Sequence, residues 1–247
     1  MLNIVIPMAG AGSRFAKAGY KDPKPLIPVH NTPMIKVVID NLRPACEHRF
    51  IFICQAEHVR QYSLTEKLQA WAPGSVMVEI NGLTEGAACT VLMAKPYIDT
   101  ADPLMIANSD QYVDYVIDDY LTEMVNSNLD GLIMTMTADD PKWSFVDFDS
   151  TGLISRVVEK EVISNEATVG IYNFRRGADF VSAAQSMIAA NERVNGDFYV
   201  APTYNQLIAR GMRIGHKNIG SEHAGMYGLG IPADLDKFLS LPLSNLF

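Results

Sequence analysis

The chain is poor in cysteine: only Cys46, Cys54 and Cys89 occur in 247 residues, and no two of them form a Cys-x-x-C pair. An odd, unpaired set argues against a disulfide framework or a zinc–cysteine cluster and fits a reducing compartment. There is no basic surplus either. Twenty lysines and arginines face 28 aspartates and glutamates, for a net charge of −8. No basic arm or helix stands out, which speaks against nucleic acid as a partner. Phosphate binding survives that argument, because a few placed cations suffice for it. Long hydrophobic runs are also missing. The opening Met1-Leu-Asn-Ile-Val-Ile-Pro7 has no basic stretch before it and is far too short to span a bilayer. It reads as a buried strand, and a cytoplasmic protein with no membrane partner is expected. His30, His48, His58, His216 and His223 show no metal-ligand spacing, and no Ser/His/Asp or Cys/His arrangement is evident.

What remains is an ordinary globular balance, 48% hydrophobic and 19% charged, on a chain long enough for a large core. Its first half alternates two signals. Short apolar runs at Asn3–Met8, Phe50–Cys54, Val76–Ile80, Leu104–Ala107 and Gly131–Met136 read as buried strands. Helices are predicted between them over Met34–Leu42, Glu57–Ala70, Ala87–Lys95 and Tyr115–Ser127. Thr32 is the predicted N-cap of the first, with Pro33 opening it. The second half changes character: Phe145–Phe148, Ile154–Val158 and Thr168–Phe174 suggest antiparallel strands. Helices over Ala178–Asn191, Thr203–Arg210 and Pro232–Leu239 follow. The expected fold is α/β, a mixed, mainly parallel central sheet with helices on both faces plus a smaller antiparallel part. With no linker, repeat or low-complexity tract, one domain over residues 1–247 is expected, in two halves of about 1–137 and 138–247.

Three segments carry chemistry. In Pro7-Met-Ala-Gly-Ala-Gly-Ser-Arg-Phe15, Gly10 and Gly12 let the backbone turn and approach a ligand, and backbone N–H groups of such a loop converge on phosphate oxygens. Arg14 adds a planar charge. The loop lacks the Gly-Lys-Ser/Thr of a P-loop and the third glycine of a dinucleotide fingerprint, so the glycines alone are equally compatible with a plain tight turn. In Asp22-Pro-Lys-Pro-Leu-Ile-Pro28, prolines stiffen the backbone around Lys24 in extended form, which suits a cation aimed at a phosphate. Asp110 follows the Leu104–Ala107 strand. Ligands of parallel sheets bind beyond the carboxyl ends of strands, so the glycine loop and Asp110 are expected on one rim.

Gly-x-Gly-x-Arg followed by Pro-Lys-Pro-Leu resembles the signature of the sugar-phosphate nucleotidyltransferases, which include nucleotide-sugar pyrophosphorylases and phosphocholine-type cytidylyltransferases. The resemblance covers most of the chain. It implies a Rossmann-like, GT-A-type nucleotidyltransferase fold, with a nucleotide-binding first half and an acceptor-binding second half. It also implies that Ala9, Gly10, Ala11, Gly12, Ser13 and Arg14 hold a triphosphate and that Lys24 contacts the reacting phosphates. Thr84-Glu-Gly-Ala-Ala88 is similar to the base-recognition loop, which assigns Glu85, Gly86 and Ala87 to the base together with Asn81. Asp110 resembles the metal-binding aspartate, implying Mg²⁺. Trp143, Glu159, Lys160, Gly170 and Tyr199 fall where relatives line the acceptor pocket, and Asp110 borders it. Lys160 would bind the acceptor phosphate. Phe198, Tyr199 and Tyr204, in Gly196-Asp-Phe-Tyr-Val-Ala-Pro-Thr-Tyr-Asn205, read equally well as core.

Two positions depart from the pattern. Sugar-specific relatives commonly have glycine after an aromatic residue where this chain has Trp143-Ser144, so the acceptor differs from an ordinary hexose 1-phosphate. Gly228 stands where a second metal aspartate is often found, and Asp234 lies six residues on. The expected reaction moves a nucleoside monophosphate from a triphosphate, CTP before dTTP or UTP, to a small phosphorylated acceptor with loss of pyrophosphate. A glycosyltransferase of similar fold is the first alternative. It would carry Asp-x-Asp where Asp110-Gln-Tyr112 stands. A non-catalytic nucleotide-binding module is the second. Homo-oligomerisation is left open.

Overall fold

The computed structural model describes residues 1–246. Its main sheet has 11 strands. They are β1 (Leu2–Pro7), β2 (His48–Gln55), β3 (Val76–Ile80), β4 (Leu104–Ala107), β5 (Gln111–Val113), β6 (Gly131–Thr137), β7 (Ser144–Phe148), β8 (Ile154–Glu159), β9 (Glu166–Phe174), β10 (Ile214–Glu222) and β11 (Gly225–Gly228). The order is β3-β2-β1-β4-β9-β6-β10-β11-β5, with β7 and β8 as an antiparallel pair attached to β9. The β3-β2-β1-β4 half is parallel, and β9 runs antiparallel to β4 and β6.

The apolar runs are continuous because the sheet is covered on both faces. Successive side chains of a strand point to opposite sides. In β1, Ile4 and Ile6 enter one cluster and Val5 the other; in β2, Phe50 and Phe52 part from Ile51 and Ile53 in the same way. Ile35, Val38 and Ile39 from the helix Met34–Leu42 share the first cluster, with Tyr120 and Met124 from Ile117–Asn126. Phe180 and Ala184 from Gly177–Ala189, and Tyr204 and Leu207 from Thr203–Ile208, share the second. Each such fully buried large side chain contributes about 1.5–3 kcal/mol.

A third cluster fixes the rim. Phe15, from the short helix Ser13–Lys17 after the glycine loop, is buried with Tyr227, Leu229 and Phe238 of the C-terminal segment. The loop is thereby anchored through one aromatic side chain while its glycines face outward.

Several elements differ from expectation. Thr32–Pro33 pairs with Pro28–Val29 in a two-residue antiparallel hairpin, so the helix starts at Met34 with Pro33 at the cap position instead of Thr32. The predicted helix Glu57–Ala70 is two helices, Ala56–Tyr62 and Leu64–Trp71, parted by Ser63 in the left-handed conformation at φ 50°. Ala87–Lys95 divides likewise, into Ala87–Leu92 and Lys95–Ile98. β10 was not anticipated. Ile214-Gly-His-Lys-Asn-Ile-Gly-Ser-Glu222 is too polar to announce a strand, and its parallel register on β6 supplies the structure that propensity does not.

Candidate active site

Two adjoining cavities open at the carboxyl ends of β1 and β4, and Ala87 and Asn108 line both. The first, about 440 Å³, is lined by the glycine loop, Lys24, the Thr84–Ala87 loop and Asn108-Ser109-Asp110. The second, about 300 Å³, lies against β7, β8 and β9.

The wall of the first cavity is largely backbone. β1 ends at Pro7, and the Met8 N–H donates to Ile53 O at 2.9 Å, carrying the chain past the sheet edge. Gly12 then turns at φ 59°. Glycine suits that left-handed turn, which strains a residue with a Cβ, although a Cβ there would only touch the Lys24 Cβ at 3.4 Å. A Cβ on Gly10 would meet nothing within 4 Å, so that position is open. Gln55, at the end of β2, donates from Nε2 to Ala9 O at 2.7 Å and to Gly82 O at 2.8 Å, and accepts from Gly82 N–H at 3.1 Å. One amide thus ties the glycine loop to the turn after β3. Sequence reasoning missed Gln55. The available signal was a polar residue closing an apolar strand whose end faces the rim.

Gly86 has φ 115°, and a Cβ on it would fall 2.5 Å from both N and O of Phe198. The Ala88 N–H donates to Phe198 O at 3.0 Å and the Phe198 N–H to Glu85 O at 2.8 Å, so this loop is stitched to the second half of the chain.

Lys24 does not sit in fully extended backbone. Pro23 is extended, but Lys24–Leu26 forms a 3₁₀ turn closed by Leu26 N–H to Pro23 O at 2.8 Å. The fixed φ of Pro25 is compatible with such a turn. The turn brings the Lys24 ammonium against the Asp110 carboxylate, and the two form an ion pair. Gly230 lies beside this pair, with its Cβ position 3.6 Å from Lys24 Nζ, and the Leu229 N–H donates to Asp110 O at 2.8 Å. Gly230 was not anticipated either; its signal was a second glycine close to Gly228.

The second cavity is built from side chains. Ser144 Oγ donates to Glu159 Oε2, and burial raises the Glu159 carboxyl above its ordinary range. Lys160 adopts φ 59°, rare for a residue with a Cβ, with its N–H on Trp143 O at 3.0 Å and Nζ on Tyr199 Oη at 2.7 Å. That contact holds the Lys160 ammonium in its charged form and raises its pKa. Tyr172, pushed up by burial, shares a hydrogen bond with Thr168 Oγ1 at 3.0 Å. Gly170, at φ 83°, leaves room for Asn108, since a Cβ would lie 2.7 Å from Asn108 Cγ. Asn108, the junction of the cavities, was not singled out in the sequence.

Of the expected nucleotide residues, Ala9, Gly10, Gly12, Lys24, Gly86, Ala87 and Asp110 line the first cavity, whereas Ala11, Ser13, Arg14, Asn81 and Glu85 do not. Glu85 is exposed and pairs with Arg193 at 2.6 Å. Trp143, Glu159, Lys160, Gly170 and Tyr199 all line the second cavity. Phe198 and Tyr204 are fully buried core residues. The Asp234 carboxylate lies 3.2 Å from the Cβ position of Gly228, outside the lining of either cavity. No group of three or more His, Cys, Asp or Glu suited to a metal occurs among the described residues. A lone carboxylate such as Asp110 still fits Mg²⁺, a hard cation usually bound by one or two carboxylates together with substrate phosphates and water.

A family model described as nucleotidyl transferase matches residues 4–198. The bifunctional protein GlmU of Burkholderia mallei (strain SAVP1) is 26% identical over 222 residues, which are 86% of this chain and 46% of that protein. The chain thus spans about half the length of the curated relatives it matches. Among solved structures, the nucleoside-diphosphate-sugar pyrophosphorylase from Vibrio cholerae RC9 superposes with a TM-score of 0.82 at 27% identity, covering 96% of this chain and 100% of that one. The UDP-glucose pyrophosphorylase from Acinetobacter baumanii has a TM-score of 0.73 at 16% identity over 97% and 92% of the two chains, a likeness of fold.

Proposed function

This chain belongs to the nucleotidyl transferase family, and we propose that it transfers a nucleoside monophosphate from a pyrimidine triphosphate to a small phosphorylated acceptor, releasing pyrophosphate. The observation that carries this reading is the pair of cavities meeting at Ala87 and Asn108, with Lys24 and Asp110 on one side and Lys160 on the other. Two anions brought together need their repulsion screened more than they need covalent help. The triphosphate lies over Gly10–Gly12 in the first cavity, within reach of Lys24. The acceptor phosphate lies in the second, beside Lys160. Its oxygen, already ionised, attacks the α-phosphorus in line, so no general base is required. Arg14 stands on the exposed edge of the loop, where it meets the outer phosphates. Asp110 would hold Mg²⁺, which when bound neutralises the triphosphate and the leaving pyrophosphate.

CTP is the first triphosphate to test, followed by dTTP and UTP, because Ser144 alters the wall where sugar-specific relatives carry glycine. We assign the reaction to the cytoplasm, in the making of surface polysaccharide or activated head groups. No helix among the described residues is long and apolar enough to cross a membrane. The test is pyrophosphate release when each triphosphate is mixed with Mg²⁺ and a panel of phosphate esters. Turnover with at least one pair is expected. Release of nucleoside diphosphate from a nucleotide sugar alone would instead indicate a glycosyltransferase, and binding without any turnover a non-catalytic module.

A further inference from the structure

Arg193 lines neither cavity, yet every nitrogen of its guanidinium has a partner. Nε donates to Asn191 Oδ1 at 2.7 Å, Nη1 to Gly196 O at 3.0 Å and Nη2 to Glu85 Oε2 at 2.6 Å, and Cζ stands 4.1 Å from the Phe198 ring centroid. As a surface ion pair, with side chains 33% and 66% exposed, Arg193–Glu85 would be worth little. The planar fork does more than pair charges. It closes the loop 191–197 on itself, where Asn191, Asn195 and Gly196 all stand at positive φ and Val194 and Asp197 exchange backbone hydrogen bonds at 3.0 Å. It also fastens that loop to Glu85 and so to the Thr84–Ala87 loop, more than a hundred residues earlier in the chain.

The three residues that leave this loop face three ways. Asp197 lines the first cavity. Phe198 is buried, with its main chain hydrogen-bonded to Glu85 and Ala88. Tyr199 lines the second cavity, where its hydroxyl holds Lys160. We propose that Arg193 is a positioning residue for both substrates. It sets residues 197–199, and through them the Gly86 turn on one side and the Tyr199–Lys160 contact on the other. This rests on the nucleotidyl-transfer reading for what fills the two cavities. Lys24, Asp110 and the glycine loop are not held by the fork. Loss of Arg193 should therefore weaken triphosphate and acceptor binding together while the reacting groups keep their places. Lysine is no substitute, because a single ammonium cannot span three acceptors set around a planar fork.

In the pyrophosphate-release assay, Arg193→Ala should raise the KM of the triphosphate and that of the phosphate ester about tenfold each, with kcat changed less than about threefold. Arg193→Lys should recover little of this. Glu85→Gln, which keeps an acceptor for Nη2, should stay near wild type, whereas Glu85→Ala should raise both KM values about two- to fivefold. Hydrogen exchange read by mass spectrometry needs no substrate. In Arg193→Ala, peptides covering residues 84–90 and 196–201 should exchange about tenfold faster together, while the sheet exchanges as in wild type. A rise in only one KM, a loss confined to kcat, or faster exchange throughout the chain overturns the proposal. Should Arg193→Ala fail to fold, Glu85→Ala decides by the same criteria. Unchanged exchange and unchanged KM values beside normal turnover overturn the positioning role and leave nucleotidyl transfer standing. Joint acceleration of the two segments in a chain that releases no pyrophosphate with any pair of substrates has the reverse meaning.

Discussion

The two cavities share a wall but not a method of construction. The first is shaped by main chain: Gly12 packed on Lys24, Gly86 pressed on Phe198, and one amide, Gln55, bridging two loops. The second is shaped by side chains, through Ser144–Glu159, Lys160–Tyr199 and Thr168–Tyr172. On the proposed reading the first cavity meets a triphosphate, an anion that backbone geometry can serve. Acceptors differ, and side chains can be exchanged without rebuilding the turn that carries them.

Substitutions can break this contrast. The largest effect is expected at Lys24→Ala, which removes the cation from the first cavity and should lower kcat about 10²–10³-fold. The thermal midpoint should stay near wild type, because both partners of the Lys24–Asp110 pair are partly exposed; unchanged turnover would remove Lys24 from the mechanism. Lys24 also stands where a metal would meet Asp110. Lys24→Met should therefore tighten Mn²⁺ binding in the absence of nucleotide by about tenfold, read by water-proton relaxation.

Gly86→Ala tests the backbone-built wall directly. A methyl group would be driven into the Phe198 main chain at a positive φ, and about 1–3 kcal/mol of stability should be lost in denaturant unfolding. A side-chain-built wall should fail differently. Lys160→Ala should raise the acceptor KM about tenfold while the triphosphate KM holds. If both rise together, the cavities are not separable.

The smallest effect concerns Glu159. Burial raises its folded pKa above the unfolded value, so the folded state retains the proton longer. The stability associated with this group is therefore present below the unfolded pKa and is lost as pH rises through the folded one. Glu159→Gln should be flatter across that window and compare more favourably with wild type at neutral pH than in acid. Urea midpoints measured across pH would show it, and parallel profiles would contradict it.

The contrast also marks what could be read in advance. Glycine writes backbone constraints directly into the chain, so the loop at Gly10–Gly12 and the strand ending before Asp110 were legible, whereas the Lys24 segment, expected extended between its prolines, closes into a 3₁₀ turn. Apolar runs marked β1, β2, β4 and β6 because both sheet faces are buried. β10 was invisible, since its pairing with β6 is decided across some 80 residues of sequence and not by its own composition. Gln55 and Asn108 were missed for a related reason. Each is an ordinary amide whose value comes from which loops the topology brings to it. Arg14 and Glu85 show the converse, a recognisable local pattern whose side chains the structure leaves on the surface.

The pairing of β5 with β11 has a consequence for the order in which the protein is made. Asp110 leaves a ribosome more than a hundred residues before Leu229, whose N–H caps its carbonyl, and Phe15 more than two hundred before Tyr227 and Phe238. Contacts of such span close late and slowly. The parallel β3-β2-β1-β4 half can assemble during synthesis, but the rim that carries Phe15 and Asp110 is completed only when the last segment docks. A nascent chain stalled before residue 225 should therefore hold a formed parallel half-sheet and an unfinished first cavity.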